Sequence, residues 1–124
     1  MSFSNTYETN VLTWTFTTTA VTRPTSWTIA LYTVAPGEAG GGTEVTGGSY
    51  ARTAVTFSVT GDLATNSAAV EFPTATASWG TVVALAVFDN SSNMVAYATL
   101  TASRTIGSGD VFRIPAGDLD ITLN

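Results

Sequence analysis

Thr81-Val82-Val83-Ala84-Leu85-Ala86-Val87-Phe88-Asp89 runs directly into Asn90-Ser91-Ser92-Asn93 and then Met94-Val95-Ala96-Tyr97-Ala98-Thr99-Leu100. The first segment is apolar at odd and even positions alike. Side chains of a strand alternate between two faces, so this segment reads as a central strand covered on both sides. The four polar residues that follow are turn formers and predict a hairpin whose second arm starts at Met94. The segment is of strand length and far short of the 18 or more apolar residues of a membrane span.

Upstream, Ser26 to Val34 alternates Trp27, Ile29 and Leu31 with Thr28, Ala30 and Tyr32, the period of a strand with one buried face. Pro36-Gly37 breaks it. Ala35 to Ser49, with Gly40-Gly41-Gly42 and Gly47-Gly48, reads as a flexible surface loop and the best candidate for a contact arm. Tyr50 to Val59 alternates again and closes at Gly61-Asp62. A short strand over Ala68 to Phe72 stops at Pro73. Downstream come Val111 to Ile114, the turn Pro115-Ala116-Gly117, and a last strand. There Leu119, Ile121 and Leu123 share one face, Asp118, Asp120 and Thr122 the other. These segments predict an all-β chain: a jelly-roll-like β-sandwich of about seven or eight strands over residues 26–124.

Residues 1–25 precede it as an arm or short helix. Leu12, Trp14 and Phe16 alternate like a strand, whereas Tyr7, Val11 and Trp14 sit at helical spacing. Asn5 followed by Glu8 has capping-box spacing. Against a helix stand Thr13, Thr15, Thr17, Thr18 and Thr19, at about half a kcal/mol each. The balance favours a short helix that frays near Phe16.

The chain has 124 residues, enough for one domain with a real core. Charged residues make up 10%, against about 25% in ordinary soluble domains, so threonine, serine, glycine and alanine must form much of the surface. Such a surface costs little to desolvate and suits permanent assembly. With a net charge of −5, four arginines and no lysine, no basic stripe exists for phosphates, so nucleic acid is not an expected partner. No membrane partner is expected either. The start Met1-Ser2-Phe3-Ser4-Asn5 lacks the basic and apolar character of a signal peptide, which places synthesis in a host cytoplasm.

Chemistry is poorly supplied. The chain has no histidine, cysteine or lysine, which excludes triads built on Ser-His or Cys-His, thiolate metal sites and Schiff-base chemistry. A hydrolase would need two carboxylates placed across a sugar, and no pair is marked for it. Asp118 and Asp120 share a strand face and could hold Ca²⁺, but a solvated edge is the better reading. Glu38 and Glu44 flank the glycine-rich loop and make a weaker calcium pair. Gly40-Gly41-Gly42 lacks the Lys-Ser/Thr of a phosphate cradle, and Asn90-Ser91-Ser92 reads as a turn, not a glycan acceptor. Trp14, Trp27 and Trp79 with Tyr7, Tyr32, Tyr50 and Tyr97 could form a sugar-stacking platform. Core duty fits better for Trp27, in line with Ile29 and Leu31, and for Trp79 at a bend beside Gly80. No catalytic, cofactor or metal residue is therefore assigned.

Leu31-Tyr32-Thr33-Val34-Ala35-Pro36-Gly37-Glu38-Ala39-Gly40, continued by Thr43 to Val55, resembles a small family encoded among the virion genes of tailed phages. So does Asn66-Ser67-Ala68-Ala69-Val70-Glu71-Phe72-Pro73-Thr74-Ala75-Thr76-Ala77-Ser78-Trp79-Gly80. With the turn at Gly107 to Asp110 and the terminal strand, the likeness covers most of residues 26–124. It implies a virion structural protein, tail-fibre-like or a capsid decoration (cement) protein, with an opening helix and no catalytic residues. The expected role is capsid decoration: a dimer or trimer on the capsid surface that binds the major capsid protein and other virion proteins. A tail or tail-fibre adaptor is the second expectation, and a carbohydrate-binding module the third.

Overall fold

The computed structural model describes residues 1–123. Helix α1 (Asn5–Phe16) and eleven strands follow in the order β1 (Ser2–Phe3), α1, β2 (Trp27–Val34), β3 (Thr43–Glu44), β4 (Thr53–Val55), β5 (Phe57–Thr60), β6 (Leu63–Asn66), β7 (Val70–Glu71), β8 (Gly80–Asp89), β9 (Met94–Ile106), β10 (Arg113–Ile114) and β11 (Asp120–Thr122). All pairings are antiparallel. One layer is a six-stranded sheet in the order β1-β9-β8-β2-β3, with β4 also on β2; the smaller sheets β10-β7 and β11-β6-β5 complete the fold. It is an all-β sandwich with one short helix.

The β8–β9 hairpin forms as its sequence dictates. Asp89 Oδ1 accepts from the amides of Ser91 and Asn93, and Ser92 takes a positive φ of 61° to close the turn. Between Val82 and Ala84 the register slips, because Val82 faces Arg104 while Ala84 faces Thr99. The bulge rotates the strand, so that Val82, Leu85 and Val87 all point into the main core, while Ala84, Ala86 and Phe88 point outward.

Strand β2 departs from the single buried face expected of it. Ile29 and Leu31 enter the main core, but Ala30 and Tyr32 are buried too, in a second cluster with Ala84, Ala86 and Phe88. The ladder pairs small with large across this outer face: Tyr32 lies opposite Ala84, and Ala86 opposite Tyr97. Neighbouring rings thus cover the alanines, and the face seals itself without a further layer.

The main core joins the layers. Ile29, Leu31, Leu85 and Val87 of the large sheet meet Val70, Phe72, Phe112, Ile114, Leu119 and Ile121. Phe72 and Phe112 cross edge to face at 5.7 Å. The continuous alternation of Tyr50 to Val59 is split at Thr56: β4 pairs with β2, but β5 pairs with β6, so the chain changes sheets there. Thr56 holds the corner through its carbonyl, which accepts from Ser67 N–H at 2.9 Å, and its hydroxyl, 2.7 Å from that of Ser67.

Two further segments differ from expectation. Leu63–Asn66, too short and mixed to signal a strand, is the middle strand of its sheet. The stretch Ala35 to Ser49, expected to be a loose loop, is pinned: Val45 is buried and donates its amide to Leu31 O. Gly42, at φ 74°, passes so close to Val34 that a Cβ would lie 2.5 Å from that carbonyl oxygen.

Asn66 is the buried polar link. Its amide donates to Ala68 O and Pro115 O at 3.0 and 2.9 Å, and its side-chain oxygen accepts from Leu119 N–H at 2.9 Å. It therefore carries the turn that delivers β11 to the sheet. Asn66→Ala strands the Leu119 amide and is expected to cost about 2–4 kcal/mol, read as a lower urea midpoint; a loss under about 1 kcal/mol would contradict this role.

Candidate functional site

The residues considered for chemistry do not converge. Asp118 and Asp120 are both exposed. Glu44 is committed to Arg52 and Tyr50, while exposed Glu38 offers its backbone carbonyl to Asn5 N–H. No group of three or more Asp, Glu, His or Cys among the described residues could hold a metal ion. No helix among them is long and apolar enough to cross a membrane.

The aromatic residues are likewise dispersed. Trp79 is buried, donates from its indole to Gly48 O at 2.8 Å, and meets Tyr50 edge to face at 5.4 Å. Trp27 is half-buried against Phe57, and Tyr32 lies in the outer cluster. Trp14 alone among the tryptophans stands free, at 73% exposure. Among the described residues Trp14, Trp27 and Trp79 do not share one exposed face.

Two constellations do form. The first spans the gap where β3 and β4 share one edge of β2. Neither strand reaches Leu31 N–H, and Tyr50 fills the place: its hydroxyl accepts from that amide at 2.9 Å and donates to Glu44 Oε2 at 2.7 Å. Arg52 grips the same carboxylate with Nε at 3.0 Å and Nη2 at 2.9 Å, and its guanidinium lies 3.8 Å over the Phe88 ring. Burial alone would raise the Glu44 pKa, but the hydrogen bonds from Arg52 and Tyr50 outweigh it and hold the carboxyl below its ordinary value. Burial and the bond to Glu44 push the Tyr50 phenol up. Tyr50, Glu44 and Arg52 are thus bonded to one another and to the edge of β2.

The second is α1 and the arm that returns from it. Ser4 is the N-cap: its hydroxyl accepts from Tyr7 N–H and donates to Met94 O. Asn5 is thus the first helical residue and not the cap, one position from the expected box. Ser4 N–H bonds Val95 O, and the Tyr7 hydroxyl donates to Asp89, the residue that organises the β8–β9 turn. The base of the helix is therefore fastened to the hairpin. Its far end is not, and no residue of α1 is buried. Thr17 ends the helix in extended backbone, with its amide and hydroxyl on Thr13 O. The arm then runs back to β2, and Thr25 N–H bonds Asn90 Oδ1. Between helix and arm lies a cleft of about 440 Å³ bordered by Tyr7, Val11, Trp14, Val21 and Pro24. The helical spacing of Tyr7, Val11 and Trp14 signals the helix side of this cleft, while nothing in the residues signals that Val21 and Pro24 return to face it.

The Glu44 carboxyl is depressed in the folded state, so its contribution to stability is full at neutral pH and lost as pH falls below the ordinary value of 4.5. Glu44→Gln should therefore flatten the acid limb of the stability curve relative to the parent chain; equal slopes would contradict the assignment. Tyr50→Phe leaves Leu31 N–H unpaired and should cost about 1–3 kcal/mol in denaturant unfolding. Retention of full stability would show that water serves that amide equally well.

No curated protein matches the chain. A family model does, the one described as Podophage GP4 fiber I protein gp80, over residues 2–122. That span takes in α1, every strand and both constellations, and the chain belongs to this phage fibre family, as a structural protein of the virion.

Proposed function

We propose that the chain is a non-enzymatic component of a phage tail fibre, a compact piece that joins copies of itself and other virion proteins. The observation that carries this reading is the helix α1: held at its base by Ser4 and Tyr7, it presents Leu12, Trp14 and Phe16 to solvent. A free globular protein gains nothing from such exposure, whereas an assembly component gains a contact.

The fibre in the family's description supports the tail over the capsid decoration expected first from the sequence. The surface agrees with either address, because its scarcity of charge lowers the cost of burial against any protein neighbour. A non-enzymatic role is supported by the chain's lack of histidine, cysteine and lysine and by its strongest polar cluster, in which Tyr50, Glu44 and Arg52 bond mainly to one another.

Imaging of intact particles with an antibody fragment bound to this chain provides the test. Labels confined to the tail and its appendages are expected. Labels spread over the capsid lattice would return the role to decoration, and unlabelled purified particles would remove it from the virion.

A further inference from the structure

Strand β9 leaves its ladder for four residues. Val82 of β8 faces Arg104 and Ala84 faces Thr99, so Leu100 to Ser103 have no partner in β8, and β1 covers β9 only at Ala96 and Tyr97. The bulged segment borders a groove of about 340 Å³ against the second layer, floored by Leu85, Phe112 and Leu119 and rimmed by Arg104 and Arg113. Arg104 lies 5.4 Å over the Phe112 ring. Among the described residues neither guanidinium is ion-paired, although Glu71 faces Arg113 across the β7–β10 ladder and Asp118 borders the same groove. Two of the four arginines thus stand over an apolar groove in a chain of net charge −5.

The opposite chemistry stands on β5, an edge strand paired with β6 alone. Val59, Ala64 and Ile121 are partners across this sheet and share its inner face, on which Leu123 also falls by alternation. Val59 and Leu123 are nevertheless 73% and 51% exposed, so the cover over that face ends short of them. The turn Gly61-Asp62 follows, and the Asp62 carbonyl accepts from Leu123 N–H at 3.0 Å, which sets an exposed acidic residue beside exposed apolar ones.

We infer that the β5–β6 turn of one copy docks in the Arg104–Arg113 groove of the next, joining copies head to tail. The inference rests on the reading of the chain as an assembly component and gives that assembly a contact. Three features select a second copy as occupant. Val59 and Leu123 match the apolar floor, Asp62 supplies a carboxylate to guanidiniums that hold none, and the free edge of β5 can bond the unpaired backbone of Leu100 to Ser103. A polyanion without apolar groups would leave the floor uncovered. Because groove and turn are different parts of the chain, the contact is heterologous and closes into a ring or extends as a filament according to the rotation between copies.

Sedimentation of the full chain, alone across a concentration series and in mixtures, tests this. The parent should self-associate. Arg104→Gln/Arg113→Gln, which disarms the groove, and Val59→Ser/Asp62→Asn, which disarms the turn, should each associate at least about tenfold more weakly. Mixed in equal amounts, the two variants should form dimers that grow no further, since each brings the surface that the other lacks; misfolded variants would not recover. Arg23→Gln removes the same charge outside the groove and should associate like the parent. Because the chain has no lysine, Arg113→Lys supplies its sole side-chain amine, which a carbodiimide should couple to Asp62 of another copy. A parent chain that stays monomeric, double variants that associate undiminished, a mixture that does not recover, or coupling confined to Glu71 or Asp118 of the same copy would overturn the contact. Particle imaging judges the fibre reading separately: a monomer found in the tail sinks the contact alone, and a self-associating chain found elsewhere sinks the reading alone.

Discussion

Strands β2 and β8 lie side by side with both faces covered, and every other part of the fold is arranged around that pair. Ala30 faces Ala86 across the ladder and Leu31 faces Leu85, the first pair turned outward and the second inward. Alanine at the outward positions lets Tyr32, Phe88 and Tyr97 cover the floor between them. The inward positions carry the larger aliphatic groups that hold the opposite layer. A polar residue at Ala30 or Leu31 would sit unpartnered in a dry environment, which is why so little of this region is polar.

The constraint creates a difficulty at the edge of β2. Two short strands, β3 and β4, divide that edge, and the backbone amide of Leu31 falls between them. Tyr50 resolves it with one hydroxyl that serves as acceptor and donor, and whose ring packs parallel to Phe72 and edge-on to Trp79. Glu44 and Arg52 complete the chain of bonds and lay a guanidinium on Phe88, so a single polar thread ties the inner core to the outer cluster. The tightness of Gly42 against Val34, and of Gly48 against Trp79, follows from the same arrangement. These glycines permit close approach where a loose loop was expected.

Much of this was legible in the residues. The unbroken apolar run of Thr81 to Asp89 and the turn after it announce the central hairpin, and the helical spacing of Tyr7, Val11 and Trp14 announces α1. The buried second face of β2 was hidden because Ala30 and Thr28 are as common on open surfaces as in cores. Leu63–Asn66 was hidden because its strand character comes from neighbours on both sides, β5 and β11, rather than from its own composition. The corner at Thr56 left no mark, since alternation continues through it. The cap lay at Ser4 and not at Asn5 because the Ser4 hydroxyl also reaches Met94 O, a contact between residues 90 positions apart.

Function was legible chiefly by subtraction. The lack of histidine, cysteine and lysine set aside the commonest catalytic arrangements, and the structure adds a candidate contact surface: a helix fastened at Ser4 and Tyr7 and apolar at its other end. Hydrogen exchange compared between the dilute chain and the intact particle addresses that conclusion most directly. Residues 9–22 should exchange rapidly in the dilute chain and become strongly protected in the particle, while β2 and β8 are slow in both. Equal exchange of residues 9–22 in the two states would contradict the account, because a surface shaped for assembly would then be uncovered in the assembly itself.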